Sequence, residues 1–165
     1  MDQVFKRIVA SRFSDLKGST VSASIAVPES LINEIVRTAL HGNKNIDSLH
    51  ISIHLQNRVD VKVKTALLPL ALHLKLRVDD SVDLGSYSSP KLRAWMENNR
   101  WLGSLGSLFN TFPEGIKLYS NQVVVDLGAF LQTPEHKRML DLVKSVDIRT
   151  QESTVILDVH AAVDA

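Results

Sequence analysis

The side chains able to do chemistry are scattered along this chain. Six histidines are present, and His50 and His54 stand four residues apart. That spacing chelates a metal on a helix, but here it falls in an alternating apolar–polar stretch, where four residues span about 13 Å. His73 lies on a neighbouring stretch of the same kind. His136 and His160 have no partner at ligand spacing, and no third acidic ligand completes a set, so no metal is expected. Asp79, Ser81 and Asp83 alternate as in a calcium loop, yet Gly85 comes one place late and Pro90 replaces the closing glutamate. The serines include no G-x-S-x-G elbow. There is no H-E-x-x-H and no dinucleotide fingerprint, and the run around Gly103 and Gly106 lacks the lysine of a phosphate loop. Glu29, Glu34, Glu97, Glu114, Glu135 and Glu152 fall in expected helices or turns without forming a pair. The expectation is a protein that is not an enzyme and carries no cofactor.

Composition narrows the class further. The chain has 165 residues, a formal net charge of +1 and no cysteine. One domain is the prior at this length. Near-neutral charge argues against a nucleic-acid partner, and the missing cysteine removes disulfides, zinc-thiolate sites and thiol nucleophiles together. No apolar run approaches the roughly 20 residues that cross a bilayer, and no export signal is expected at the N-terminus. The expected location is therefore cytoplasmic. Residues 1–17 set Val4, Phe5, Ile8, Val9, Phe13 and Leu16 at helical spacing among Lys6, Arg7, Arg12 and Lys17. This predicts a short amphipathic helix ahead of a single domain over 18–165. A basic helix of this kind packs on its own domain or lies on a membrane surface.

The elements that must position everything else centre on Ile46 to Leu84. Leu49, Ile51, Ile53 and Leu55 alternate with polar residues, and Val59, Val61 and Val63 do the same. Period two predicts strands with one dry face. A three-residue loop, Gln56 to Arg58, would pair Leu55 with Val59 and Ile53 with Val61, and set His54 opposite Asp60. Leu70, Leu72, Leu74, Leu76 and Val78 continue at even positions and bring Lys75 near Asp60. The tip between them, with Leu67, Leu68 and Leu70, is apolar where hairpin tips carry Gly, Asn or Asp. Those leucines are expected to touch a membrane or a partner unless the protein covers them.

Around this centre, Thr20 to Val27 predicts a strand. Pro28 to His41 predicts a helix whose stripe of Leu31, Ile32, Ile35, Val36, Ala39 and Leu40 lies on the sheet. Pro90 onward predicts a helix rich in aromatics. Trp95, Met96, Trp101, Leu105, Phe109 and Phe112 are its candidate ligand-binding residues, because aromatics stand there beside flexible glycines. Ile116 to Leu118 and Val123 to Leu127 predict a hairpin about Ser120-Asn121. Thr133 to Val146 predicts a helix with Met139, Leu140, Val143 and Val146 on its stripe. Val146 to Arg149 and Thr154 to Val163 predict a closing hairpin around Thr150 to Ser153.

The order of elements, and above all the strand running into VPESLINEIVRTAL over Val27 to Leu40, resembles the tubular lipid-binding (TULIP) domains. The closest pattern is that of small single-domain bacterial versions, the LmeA and YceB types. The resemblance implies an α+β fold, a strongly twisted antiparallel sheet of long amphipathic strands packed around amphipathic helices. It implies an apolar groove for a lipid or other hydrophobic molecule, and no catalytic residues. With no export signal expected at its N-terminus, this chain is expected to differ from those relatives in location. The expected function is non-catalytic binding or transport of a hydrophobic ligand, with peripheral membrane contact. The alternative is an interaction or self-assembly module, a homodimer included, that uses the same apolar surface.

Overall fold

The computed structural model of the protein describes residues 18–66, 71–84, 89–97, 115–119, 121–129 and 140–162, and among them alternation of apolar and polar residues writes nine strands. They are β1 (Thr20–Pro28), β2 (Ile46–Ile53), β3 (Arg58–Thr65), β4 (Leu72–Val78), β5 (Lys91–Met96), β6 (Ile116–Tyr119), β7 (Gln122–Asp126), β8 (Val143–Gln151) and β9 (Thr154–Ala162). One α-helix, α1 (Glu29–Ala39), follows β1 directly. Every pairing is antiparallel. β1-β9-β8 form a three-stranded sheet, and β2-β3-β4-β5-β7-β6 form a six-stranded sheet curled into a half-barrel. The fold is thus a sheet-dominated α+β structure.

Register keeps the dry residues together. Ile51, Val61 and Leu74 lie side by side across three strands, as do Leu49, Val63 and Leu72 on β2, β3 and β4. Leu92 and Ala94 continue the layer opposite Val125 and Val123, which face Ile116 and Leu118 in turn. Ile46, Val63, Leu72, Leu74, Leu76, Ala94 and Met96 form the buried cluster. Burying one such large side chain contributes about 1.5–3 kcal/mol. The outer face carries His50, Lys62 and His73 in one cross-strand row, and Asp60 opposite Lys75 in the next.

The two sheets meet at the β2–β3 turn. Residues 80–82, beyond β4, leave the large sheet and pair with β8: Ile148 N donates to Asp80 O at 2.7 Å, and Val82 N to Val146 O at 2.9 Å. Asn57, buried at 6% exposure with φ +57°, sits in the joint. Its Oδ1 accepts from Thr150 N at 2.8 Å, and its Nδ2 donates to Ile148 O and to Asp80 Oδ1. Its own N–H donates to Thr150 Oγ1 at 2.7 Å. One polar side chain so placed ties the turn to β8 and to Asp80, and satisfies the Thr150 N–H and the Ile148 carbonyl, which would otherwise be left unpaired.

Several expectations need correction. The β2–β3 loop is Leu55–Asn57, with Ile53 opposite Val59 and Ile51 opposite Val61. Ser52, not His54, is the partner of Asp60. The displacement preserves which face each residue takes, so the apolar pattern could not separate the two registers. Positive φ at both Gln56 and Asn57 and the inward pull on Asn57 decide it, and Leu55 is left exposed. Residues 91–96 form a strand where a helix was expected. Leu92, Trp95 and Met96 satisfy helical spacing, but Leu92, Ala94 and Met96 also alternate with Lys91, Arg93 and Trp95, and pairing with β4 and β7 selects the strand. Val143, expected on a helix, begins β8, so the strand starts three residues before the expected Val146; the described residues just before it, 140–142, are helical. The stripe of α1 is not fully covered, since Leu31 is 45% and Ile35 58% exposed. The expected N-terminal helix and the leucine-rich tip at Leu67, Leu68 and Leu70 lie outside the described residues.

Candidate functional site

α1 is laid along the edge of β2 by its own polar side chains. Glu29, in the first turn, accepts from Ile53 N through Oε2 at 2.8 Å. One turn later Asn33 accepts from Ile51 N at 2.8 Å and donates to Ile51 O at 2.8 Å. These are the groups an adjoining strand would have satisfied. With its Glu29–Asn33 face bound to the strand edge, the helix turns Val36, Ala39 and Leu40 toward the inside of the curled sheet.

Between helix and sheet lies a cavity of about 360 Å³. α1 and its C-cap supply Ile35, Val36, Ala39 and Leu40. Leu49 and Ile51 come from β2, Val61 and Val63 from β3, and Leu74 and Leu76 from β4. Ile116 and Leu118 of β6 and Val123 and Val125 of β7 close the far wall. Among the described residues every lining side chain is aliphatic. The volume falls within the roughly 300–1,000 Å³ of small-molecule pockets. A wall without a donor or acceptor cannot hold a polar group without leaving it unsatisfied, which costs about 1–3 kcal/mol on protein scales. It offers no acid, base or nucleophile. What it can do is remove hydrocarbon from water. The exposure of Ile35 on the helix marks a side on which the cavity opens.

The sequence-derived site residues distribute differently. Met96 is buried in the core cluster beneath the large sheet. Trp95 stands on the outer face, 43% exposed, opposite Arg77 and Gln122, with Nε1 donating to Asp79 Oδ1 at 2.8 Å. It is thus on the wrong side of the sheet to meet the cavity, because strand alternation sends it opposite to Ala94 and Met96. Trp101, Leu105, Phe109 and Phe112 lie outside the described residues. In the sequence, the residues that do line the cavity are legible only as the dry faces of a helix and of strands. The available signal was their size: the described lining residues are all Ala, Val, Ile or Leu, on the concave face of a curled sheet.

Polar clusters elsewhere are at the surface. His54 lies 3.5 Å from Asp60 and 3.7 Å from Glu152, one carboxylate beside each ring nitrogen. Ser22 Oγ and His160 Nδ1 are 2.9 Å apart on the wet face of the small sheet. Beside them Asp158 is held below the usual carboxylate range by the Ser24 hydroxyl first and by the Arg149 guanidinium second. Ser22 and His160 are directly opposed on neighbouring strands, on a flat, exposed surface. Among the described residues no group of three or more His, Asp or Glu could hold a metal ion, and no helix is long and apolar enough to cross a membrane. Comparison with protein-family models, with curated proteins and with solved structures finds no match.

Proposed function

We propose that the protein binds the hydrocarbon part of a lipid, or another apolar small molecule, between α1 and the concave face of the six-stranded sheet, without transforming it. The observation that carries this reading is the lining, all-aliphatic among the described residues and drawn from one helix and five strands. An apolar cavity of this kind stays dry, and an apolar guest gains the hydrophobic free energy of leaving water. A tubular lipid-binding domain, operating at or near a membrane surface, fits a curled antiparallel sheet with a helix along its inner side.

Titration of an environment-sensitive apolar dye, followed by displacement with a long-chain fatty acid, tests the reading. Saturable, competitive binding is expected. Leu74→Glu, which places a carboxylate in the wall, is expected to abolish it, and the milder Val61→Thr to weaken it in a protein that still folds. Dye binding that fatty acid does not displace, or that survives both substitutions, would remove the proposal.

A further inference from the structure

The described residues leave one long strand edge open, and it is β1. The outer edge of β2 is met by Asn33 and Glu29. That of β8 is met by residues 80–82, and β6 runs for only four residues. β1 is nine residues long and ends its sheet, with β9 on one side. Natural edges are blunted by charges, proline or bulges. Thr20–Val27 carries no charge and no proline, and its register against β9 is unbroken. Val21 and Ile25, on its dry face, are 54% and 49% exposed.

We propose that β1 pairs antiparallel with β1 of a second copy, about a two-fold axis through Ser24, to give one continuous six-stranded sheet. The strand's pattern is self-complementary about that residue. Val21 faces Val27 of the partner subunit, and Ala23 faces Ile25 of the partner subunit, so dry face meets dry face and a small residue meets a large one. Ser22 faces Ala26 of the partner subunit on the wet side. A one-residue slip would set Ile25 beside Ser22 or Ser24, and Val21 beside Ala26 or Pro28, so the register is specified. The interface is isologous, the commonest kind in soluble oligomers. Because the strand is uncharged, self-pairing brings no like charges together. A foreign strand would need this same uncharged, alternating pattern, which a second copy supplies at equal concentration. The dimer leaves the aliphatic cavity untouched and does not depend on what that cavity binds.

The chain has no cysteine, so Ser24→Cys introduces a lone thiol on the proposed axis. Directly opposed Cβ atoms there are about 4.5–5.5 Å apart, near disulfide reach. Ser22→Cys is the control, since its two thiols would lie about 13 Å apart along the strand direction. Far-UV circular dichroism first establishes that both variants fold. Mild oxidation is expected to give covalent dimer from Ser24→Cys and not from Ser22→Cys. Ser24→Lys, which opposes two ammonium groups on the axis, is expected to shift sedimentation from dimer to monomer. A wild-type chain that sediments as a monomer across a dilution series overturns the proposal. So does crosslinking of Ser22→Cys as fast as Ser24→Cys, or a dimer that Ser24→Lys leaves intact.

Discussion

The Asn33 side chain meets the backbone of Ile51 as a neighbouring strand would, accepting from its N–H and donating to its carbonyl, each at 2.8 Å. This pair fixes where α1 lies and therefore the near wall of the cavity. Asn33→Ala leaves both Ile51 groups short of partners and is expected to cost about 1–3 kcal/mol, read from urea unfolding midpoints. Apolar-ligand affinity should fall in parallel as the helix loosens. Full stability with unchanged affinity would mean that the helix is held by its apolar side alone.

Asn57 holds the two sheets together through Thr150, Ile148 and Asp80. Asn57→Ala strands several buried polar groups and gives up a residue suited to positive φ. Its expected cost is about 3 kcal/mol. Gln56→Ala, one position earlier at an exposed site, is expected to stay within about 1 kcal/mol. Equal effects at the two positions in chemical denaturation would show that the turn, and not the joint, is what matters.

Ile35 separates packing from binding. It lines the cavity yet is 58% exposed, so Ile35→Ala should cost well under the 2–5 kcal/mol of a buried Leu/Ile→Ala change. Val63, 2% exposed, is the contrast, and Val63→Ala is expected to destabilise markedly more. Ile35→Glu should weaken an apolar ligand by at least tenfold with little loss of stability, measured by the same dye displacement. A large stability loss on Ile35→Ala would place this face of the helix in the core.

Acid should act through Asp126. The Ser89 hydroxyl, the Gly128 and Ala129 N–H groups and the nearby Lys91 outweigh desolvation and hold its carboxyl below the ordinary value of 3.8. A folded-state value below the unfolded one gives stability that is fully present above the unfolded pKa and lost as pH falls through the folded pKa. Wild type should therefore exceed Ser89→Ala in urea resistance at neutral pH, and the difference should shrink below about pH 4. A difference that persists unchanged in strong acid would assign the effect of Ser89 to packing.

Much of the sheet was legible because period two is a direct consequence of strand geometry. Leu49 to Ile53, Val59 to Val63 and Leu72 to Val78 took the faces that their alternation demands. Lys75 lies opposite Asp60, and Tyr119 lies opposite Gln122. What was not legible depended on distant partners. Residues 91–96 suit either period, Leu92, Trp95 and Met96 sharing a helical face and Leu92, Ala94 and Met96 a strand face, and only pairing with β4 and β7 decides between them. Asn33 and Asn57 read locally as a helix residue and a turn residue, but their roles come from groups 18 and 93 positions away. The cavity was hidden for the same reason: alternation tells which residues face inward, and only curvature tells whether they meet.

The most direct test is photo-crosslinking with a fatty acid that carries a diazirine at its hydrocarbon end, followed by peptide mapping of the labelled sites. Binding in the cavity predicts carbene insertion into Val61–Val63, Leu74–Leu76, Ile116–Leu118 or Ile35–Leu40, suppressed by excess unlabelled fatty acid. Label confined to the exposed dry face of β1 at Val21 and Ile25, or label that competitor does not reduce, would contradict it.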